Sequence, residues 1–189
     1  MASPAAAWKI RVPASSANLG PGFDALGLAL SVYLRCRFRR ADKLKIVVRG
    51  RDAGLISSSE DNFIWQTALG VARDVGAQLE PVELEIDNDI PLGKGLGSSA
   101  AALTAGVVIA NVLLELGWKP LRVLGEAARI EGHPDNAAAS VLVFYERGCE
   151  EVCYLVRQIF SLHGRVSEVM LASVATEGYS IEEDSEPWR

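Results

Sequence analysis

Residues Ile90 to Ala102 read IPLGKGLGSSAAA. Gly93, Gly95 and Gly97 alternate with other residues, and Ser98 and Ser99 lead directly into an alanine-rich run. Glycine tolerates positive φ, so such a stretch can turn successive backbone N–H groups toward one point. The serines would then open a helix whose first amides have no internal partner and whose dipole end is positive. Together these features describe an anion cradle, with two hydroxyls at hand for phosphate oxygens or a metal ion. The same spacing also describes an ordinary strand-to-helix turn with a serine cap, and alone it leaves both open.

Two named loops can be weighed against it. A Walker A loop requires G-x-x-x-x-G-K-[ST], but Lys94 lies between Gly93 and Gly95 and no lysine precedes Ser98, so the spacing excludes it. The dinucleotide fingerprint G-x-G-x-x-[GA] is formally met by Gly95, Gly97 and Ala100. It also needs a second strand ending in an acid about 20 residues on. That distance falls near Glu115, at the end of a long helical pattern with no strand after it, so the match is weak.

Around the loop the chain reads as a mixed α+β fold. Trp8 to Val12 is a short strand candidate, followed by small residues expected to form a loop. Leu28, Leu30, Val32, Leu34, Cys36 and Phe38 alternate with Ser31, Tyr33, Arg35, Arg37 and Arg39. This period of two predicts a long strand with one wet face, and Leu44 to Val48 is expected to pair with it. A helix is predicted from about Asn62 to Val75, and a half-exposed strand at Val82, Leu84 and Ile86. Further helices are predicted from Ser98 to about Leu116, closed by Gly117, and from Pro120 to about Ile130, with Gly132 beyond. The strands and helices do not follow a regular βαβ alternation.

Composition narrows the classes. With 49% hydrophobic and 23% charged residues over 189 positions, the chain has a globular balance and enough length for a substantial core. A net charge of -5 argues against general nucleic-acid binding, and the basic run from Arg35 to Lys45 reads as a solvated strand face. Cys36, Cys149 and Cys153 form no CxxC pair, and His133 and His163 are too few and too distant for a zinc site. The N-terminus lacks a signal-like pattern, and the longest apolar run, Ala100 to Leu114, is too short to span a bilayer. A cytoplasmic location, with no membrane and no nucleic-acid partner, is expected.

Three stretches together carry a family resemblance. Pro91 to Ala101, P-x-x-x-G-L-G-S-S-A-A, resembles the phosphate-binding motif of the GHMP kinases. VPASSANLGPGFDALGLAL (Val12 to Leu30) and EGHPDN (Glu131 to Asn136) resemble the homoserine branch of that family, in its order and approximate spacing. The resemblance covers roughly residues 8 to 140. It implies the family's N-terminal ATP-binding lobe over residues 1–140, and a divergent, partly helical tail over 141–189 in place of the second lobe. Within that tail Val152, Leu155, Val156, Ile159 and Leu162 form an apolar helical stripe, and Val169 to Val174 could be strand or helix. The acidic end, EGYSIEEDSEPWR, is expected to fray.

The implied activity is transfer of the γ-phosphoryl group of ATP to the hydroxyl of L-homoserine, a step of threonine biosynthesis. The alternative is a nucleotide-binding protein of impaired catalysis. By the resemblance, Pro91, Gly93, Lys94, Gly95, Leu96, Gly97, Ser98, Ser99 and Ala100 wrap the ATP phosphates, and Asn62 lies near the adenine. Ser98 and Glu131 match positions that hold Mg²⁺. Asn18, Asp24, His133 and Asn136 match positions that contact homoserine, with Asp24 on the ammonium and no residue assigned as base. A homodimer is compatible with the family.

Overall fold

The structure is a computed structural model that describes residues 6–17, 27–132, 135–141, 175 and 178–184. Five strands form one mixed sheet: β1 (Ala7–Ala17), β2 (Gly27–Arg40), β3 (Lys45–Gly50), β4 (Val82–Asn88) and β5 (Ser180–Glu183), in the order β3-β4-β2-β1-β5. All neighbours are antiparallel except β3 and β4. A short 3₁₀ turn (Ala53–Leu55) and four helices complete the chain: α1 (Phe63–Asp74), α2 (Ser98–Leu113), α3 (Pro120–Glu131) and α4 (Asp135–Val141).

The wet face of β2 decides the strand order. Arg35, Arg37 and Arg39 stand opposite Asp87, Glu85 and Glu83 of β4 in register. Opposite charges directly across two strands stabilise the pair and fix its alignment. Arg39 forms a hydrogen-bonded ion pair with Glu83, and Lys45 of β3 reaches the same carboxylate at 3.3 Å. The basic run is therefore matched by acids on the next strand, and β4 takes the place beside β2 expected for β3. β3 instead runs parallel to β4, joined to it through α1, because a parallel pair needs a long crossover.

On the other face Val12, Phe38, Leu84 and Ile86 are buried beneath α1 and α2 with Val71, Leu103 and Ile109. Helix α2 touches α1 closely enough that a Cβ on Gly106 would stand 2.6 Å from the Ile64 carbonyl oxygen. The buried thiol of Cys36 belongs to this core, and burial pushes its pKa up to about 12.

Three expectations shift in detail. β1 runs past Val12 to Ala17, because Ala14 to Ala17 pair with Leu30 to Gly27 beyond an irregularity at Pro13, which has no N–H to give. The same irregularity breaks the alternation of β2: Val32 to Phe38 keep the expected face, but below it Ala29 is fully buried while Leu28 and Leu30 are only partly so. Helix α2 ends at Leu113, ahead of Leu116, since Glu115 adopts φ 53. The Asn111 side chain accepts from the Trp118 amide at 2.9 Å and donates to its carbonyl at 3.1 Å, which holds that turn.

Within the acidic C-terminal segment, where a frayed end was expected, Ser180–Glu183 form a strand. Ser180 to Glu183 pair with Arg11 to Trp8, and the Asp184 amide donates to the Ala7 carbonyl at 2.7 Å. The Asp184 side chain is fully buried against Lys9 Nζ at 3.1 Å and hydrogen-bonded to Arg37. A buried carboxylate needs such partners, and two cations on β1 and β2 supply them. Cys149, Cys153, the apolar stripe at Val152 to Leu162 and the Val169 to Val174 segment lie outside the described residues.

Two tests follow from these contacts. Asp184→Ala removes the buried carboxylate that Lys9 and Arg37 share and is expected to cost about 3 kcal/mol in urea unfolding; a loss below about 0.5 kcal/mol would contradict the role assigned to the pair. The Arg39 hydrogen bond, with Lys45 beside it, holds the Glu83 carboxyl below its ordinary pKa. Its contribution to stability is therefore present above the unfolded-state value and is lost as pH falls toward the folded one. Glu83→Gln should flatten the decline of the urea midpoint on the acid side of pH 5.

Candidate active site

The glycine loop leaves β4 through a fixed joint. Asn88, the last residue of β4, is buried; its side-chain amide donates to the carbonyls of Arg51 at 3.0 Å and Ile90 at 2.8 Å, and accepts from the Ile90 amide at 3.2 Å. The Leu92 amide donates to Asp52 Oδ2 at 3.0 Å. Beyond this anchor Gly93, Gly95 and Gly97 all adopt positive φ, at 65, 71 and 64°.

Gly97, and not a serine, occupies the N-cap position of α2, and no side chain caps that end among the described residues. The first bond of the helix runs from the Ala101 amide to the Gly97 carbonyl at 2.9 Å. The amides of Ser98, Ser99 and Ala100 therefore have no partner inside the helix. Helix α1 shows the contrast: Asn62 accepts from the Ile64 amide at 3.0 Å and the Trp65 amide at 3.3 Å. One helix has its first turn capped by a side chain, and the other does not among the described residues. An anion is the group that suits the uncapped turn, by both hydrogen bonding and dipole.

A cavity of about 400 Å³ opens beside this end of α2. Ser98, Ser99 and Ala102 form one wall, Asn88 and Leu92 another, and Ile56, Ser57, Asn62 and Phe63 the third. Phe63 and Leu55 line it while remaining 50% and 78% exposed. Large apolar groups left at the mouth of a pocket suit a ligand with an apolar, planar part. A larger groove of about 610 Å³ lies on the charged face of the sheet, lined by Lys9, Arg35, Arg37, Glu85 and Asp87. It is built from the ion-paired ladder and contains no residue of the glycine loop.

Ser15 of β1 ties the three motif stretches together. It is fully buried, its amide donates to the Leu96 carbonyl at 3.0 Å, and its hydroxyl donates to Asn136 Oδ1 on α4 at 3.0 Å. A Cβ on Gly97 would stand 1.9 Å from the Ser15 hydroxyl oxygen. Ser15, the Leu96–Gly97 turn and Asn136, one described part of each motif stretch, thus meet at one point, although 121 positions separate Ser15 from Asn136.

The sequence-derived candidates distribute unevenly over this geometry. Pro91 and Ala100 are buried, Leu96, Gly97 and Ser98 half-buried, and Gly93, Lys94, Gly95 and Ser99 exposed along the loop. Asn62 lines the cavity, but its oxygen is spent on capping α1 and its nitrogen donates to the Ser57 carbonyl at 2.6 Å. Asn136 is half-buried beside Ser15. Glu131 closes α3 ahead of Gly132, whose φ of 91° ends the helix, and its Oε2 atom is buried without receiving a hydrogen bond, while the residue has other interactions. Asn18, Asp24 and His133 lie outside the described residues.

Ser98 and Glu131 are hard oxygen donors of the kind Mg²⁺ accepts together with phosphate oxygens and water. Among the described residues no group of three or more His, Cys, Asp or Glu is placed to hold a metal by itself. Two such donors are fewer than a closed protein cage uses, so a cation held by them would take phosphate oxygens and water as its other ligands.

Comparison with known proteins agrees with this geometry. Residues 62–143 match the family described as the GHMP kinases N terminal domain. Over that stretch the chain is similar to a GHMP kinase N-terminal domain. It is 70% identical over 133 residues to the homoserine kinase of Solibacter usitatus, covering 70% of this chain and 44% of that protein. It is 45% identical over 141 residues to the homoserine kinase of Deinococcus radiodurans, covering 75% and 46%. The crystal structure of homoserine kinase from Cytophaga hutchinsonii superposes with a TM-score of 0.61 at 30% identity, covering 75% of this chain and 48% of that one. The mevalonate kinase of Methanococcus jannaschii, at 13% identity and a TM-score of 0.53 over 69% of this chain and 50% of its own, shares the fold alone. The chain spans about half the length of the curated relatives it matches.

Sequence reasoning missed Ser15, Asn88 and Asp52. Ser15 stood inside a quoted motif, but nothing local distinguishes it from Ser16. Replacing Gly97 by alanine tests the GHMP-type loop. The added methyl meets Ser15 and the φ of 64° disfavours any side chain. Gly97→Ala is expected to lower Mg-ATP affinity at least about tenfold in calorimetric titration, a cost of about 1.4 kcal/mol. An unchanged affinity would mean that the nucleotide does not sit on this loop.

Proposed function

We propose that this chain binds Mg-ATP at the glycine loop and phosphorylates the hydroxyl of L-homoserine, giving O-phosphohomoserine and ADP. The observation that carries the proposal is the meeting of GLGSS and Asn136 at Ser15, beside an uncapped helix end and a cavity of about 400 Å³. The 70% identity to a homoserine kinase supports the choice of substrate within the family.

Each part of the site has a task that its chemistry suits. The amides of Ser98 to Ala100 would receive phosphate oxygens, with the helix dipole favouring the charge. The apolar walls at Ile56, Leu92 and Phe63 would take the nucleoside. Asn62 keeps the wall of that pocket in place by capping α1. Ser98 and Glu131 would hold Mg²⁺, which neutralises charge on the phosphate oxygens when bound. Asn136, with Asn18, Asp24 and His133, is assigned to homoserine, so that the amino acid lies on the α4 side of the loop. Phosphoryl transfer asks the protein mainly for alignment and charge stabilisation, and no carboxylate is assigned as base. Residues 1–140 constitute the ATP-binding unit in this proposal, and the reaction belongs to the cytoplasm and to threonine biosynthesis.

The test is turnover of the purified chain with Mg-ATP and L-homoserine, following ADP and O-phosphohomoserine together. Product is expected, with Ser98→Ala and Glu131→Gln each lowering kcat/KM by about 10²-fold or more. ATP binding without product would favour a nucleotide-binding protein of impaired catalysis. Faster turnover of mevalonate or galactose would move the assignment to another branch of the family.

A further inference from the structure

Ser15 touches the nucleotide side and the substrate side of the site at once, and neither task assigned above requires it to. The residue is 0% exposed. A buried hydroxyl is costly without a partner, and here the partner is Asn136, reached at 3.0 Å across 121 positions of sequence. The neighbouring amide is spent on the Leu96 carbonyl, at 3.0 Å. Between these two bonds Gly97 rests directly against the Ser15 side chain, where no extra atom fits. The connection has no slack: a shift of Leu96 or Gly97 must move Ser15, and a shift of Ser15 must move or release Asn136.

Helix α4 is held to the same strand at its far end, where Ser140 Oγ donates to the Pro13 carbonyl at 3.4 Å. Ser15 and Pro13 thus fasten both ends of a seven-residue helix to β1. Pro13 is also where the β1–β2 register slips.

We propose that Ser15 is a positioning residue that couples the two subsites, so that an anion seated on the glycine loop raises the affinity for the amino-acid substrate at Asn136. This deepens the kinase assignment of the same site and rests on it. Phosphate oxygens on the Ser98 to Ala100 amides fix the turn at Leu96 and Gly97, and that turn fixes Ser15. The hydroxyl then holds Asn136 Oδ1, which leaves the Asn136 side-chain NH₂ aimed in one direction. Because binding free energies are reciprocal, homoserine must raise nucleotide affinity by the same factor.

The experiment measures that factor on the full chain. L-homoserine is titrated calorimetrically with and without a non-hydrolysable Mg-ATP analogue, in wild type, Ser15→Ala and Ser15→Cys. Wild type is expected to bind homoserine at least about 5-fold more tightly with the analogue present. Ser15→Ala should reduce that ratio to below about 2-fold, and Ser15→Cys, which keeps the bulk and weakens the donor, should fall between. An undiminished ratio in a folded Ser15→Ala protein overturns the proposal, as does wild type that binds both ligands without coupling. If wild type fails to bind either ligand, the kinase assignment fails, and the link is decided in the free protein by backbone amide resonances. Asn136→Ala then shifts the Leu96 to Ala100 amides if the link exists, and leaves them in place if it does not.

Discussion

At Gly97 a side chain has no room, and much of the site depends on that exclusion. Ser15 fills the space a Cβ would take, and the residue adopts a φ of 64° that glycine accepts readily. A glycine cap offers no oxygen to the amides that follow, so the first turn of α2 stays available. The same contact seats Ser15, and Ser15 brings α4 to the loop. A serine could not take over as cap without displacing Ser15, because its Cβ would stand 1.9 Å from the Ser15 hydroxyl oxygen.

The sheet beneath provides the rigidity this arrangement needs. Its wet face is a ladder of opposed charges: Arg35 with Asp87, Arg37 with Glu85 and Arg39 with Glu83. Surface pairs contribute little individually, but a register of alternating charge penalises every slipped alignment. The ladder thereby fixes where β4 ends, at Asn88, and Asn88 fixes where the glycine loop begins. Asp184 extends the same logic to the sheet edge, where Lys9 and Arg37 hold its carboxylate and dock β5 on β1. Structure far along the sequence is joined to the N-terminal strand by one buried charge and a few ladder bonds.

Much of this was legible in the sequence, and the omissions have a common cause. Helix α1 was readable from its apolar spacing and from Asn62, because periodicity and caps are local signals. The alternation of β2 from Val32 to Phe38, and that of β4, was equally readable. Their partnership was not: the opposed charges at Arg37 and Glu85 become a signal only once the register is known. The C-terminal segment looked like a frayed acidic end because Asp184 acquires its cations from residues at the opposite end of the chain. The glycine loop was visible, and its family resemblance named the phosphate it suits. That Gly97 must be glycine, and that Ser15 joins it to Asn136, are facts of contact between distant segments, which composition and spacing do not carry.

In the proposed function the nucleotide phosphates sit on the loop and the first turn of α2. Amide hydrogen exchange of the full chain, with and without saturating Mg-ATP, tests it most directly. Protection concentrated on Gly93 to Ala101, extending to the cavity wall at Ser57 to Phe63 and to Asn136, is the predicted result. Protection that spares this loop and falls instead on the charged sheet face around Lys9, Arg35 and Arg37 would contradict it.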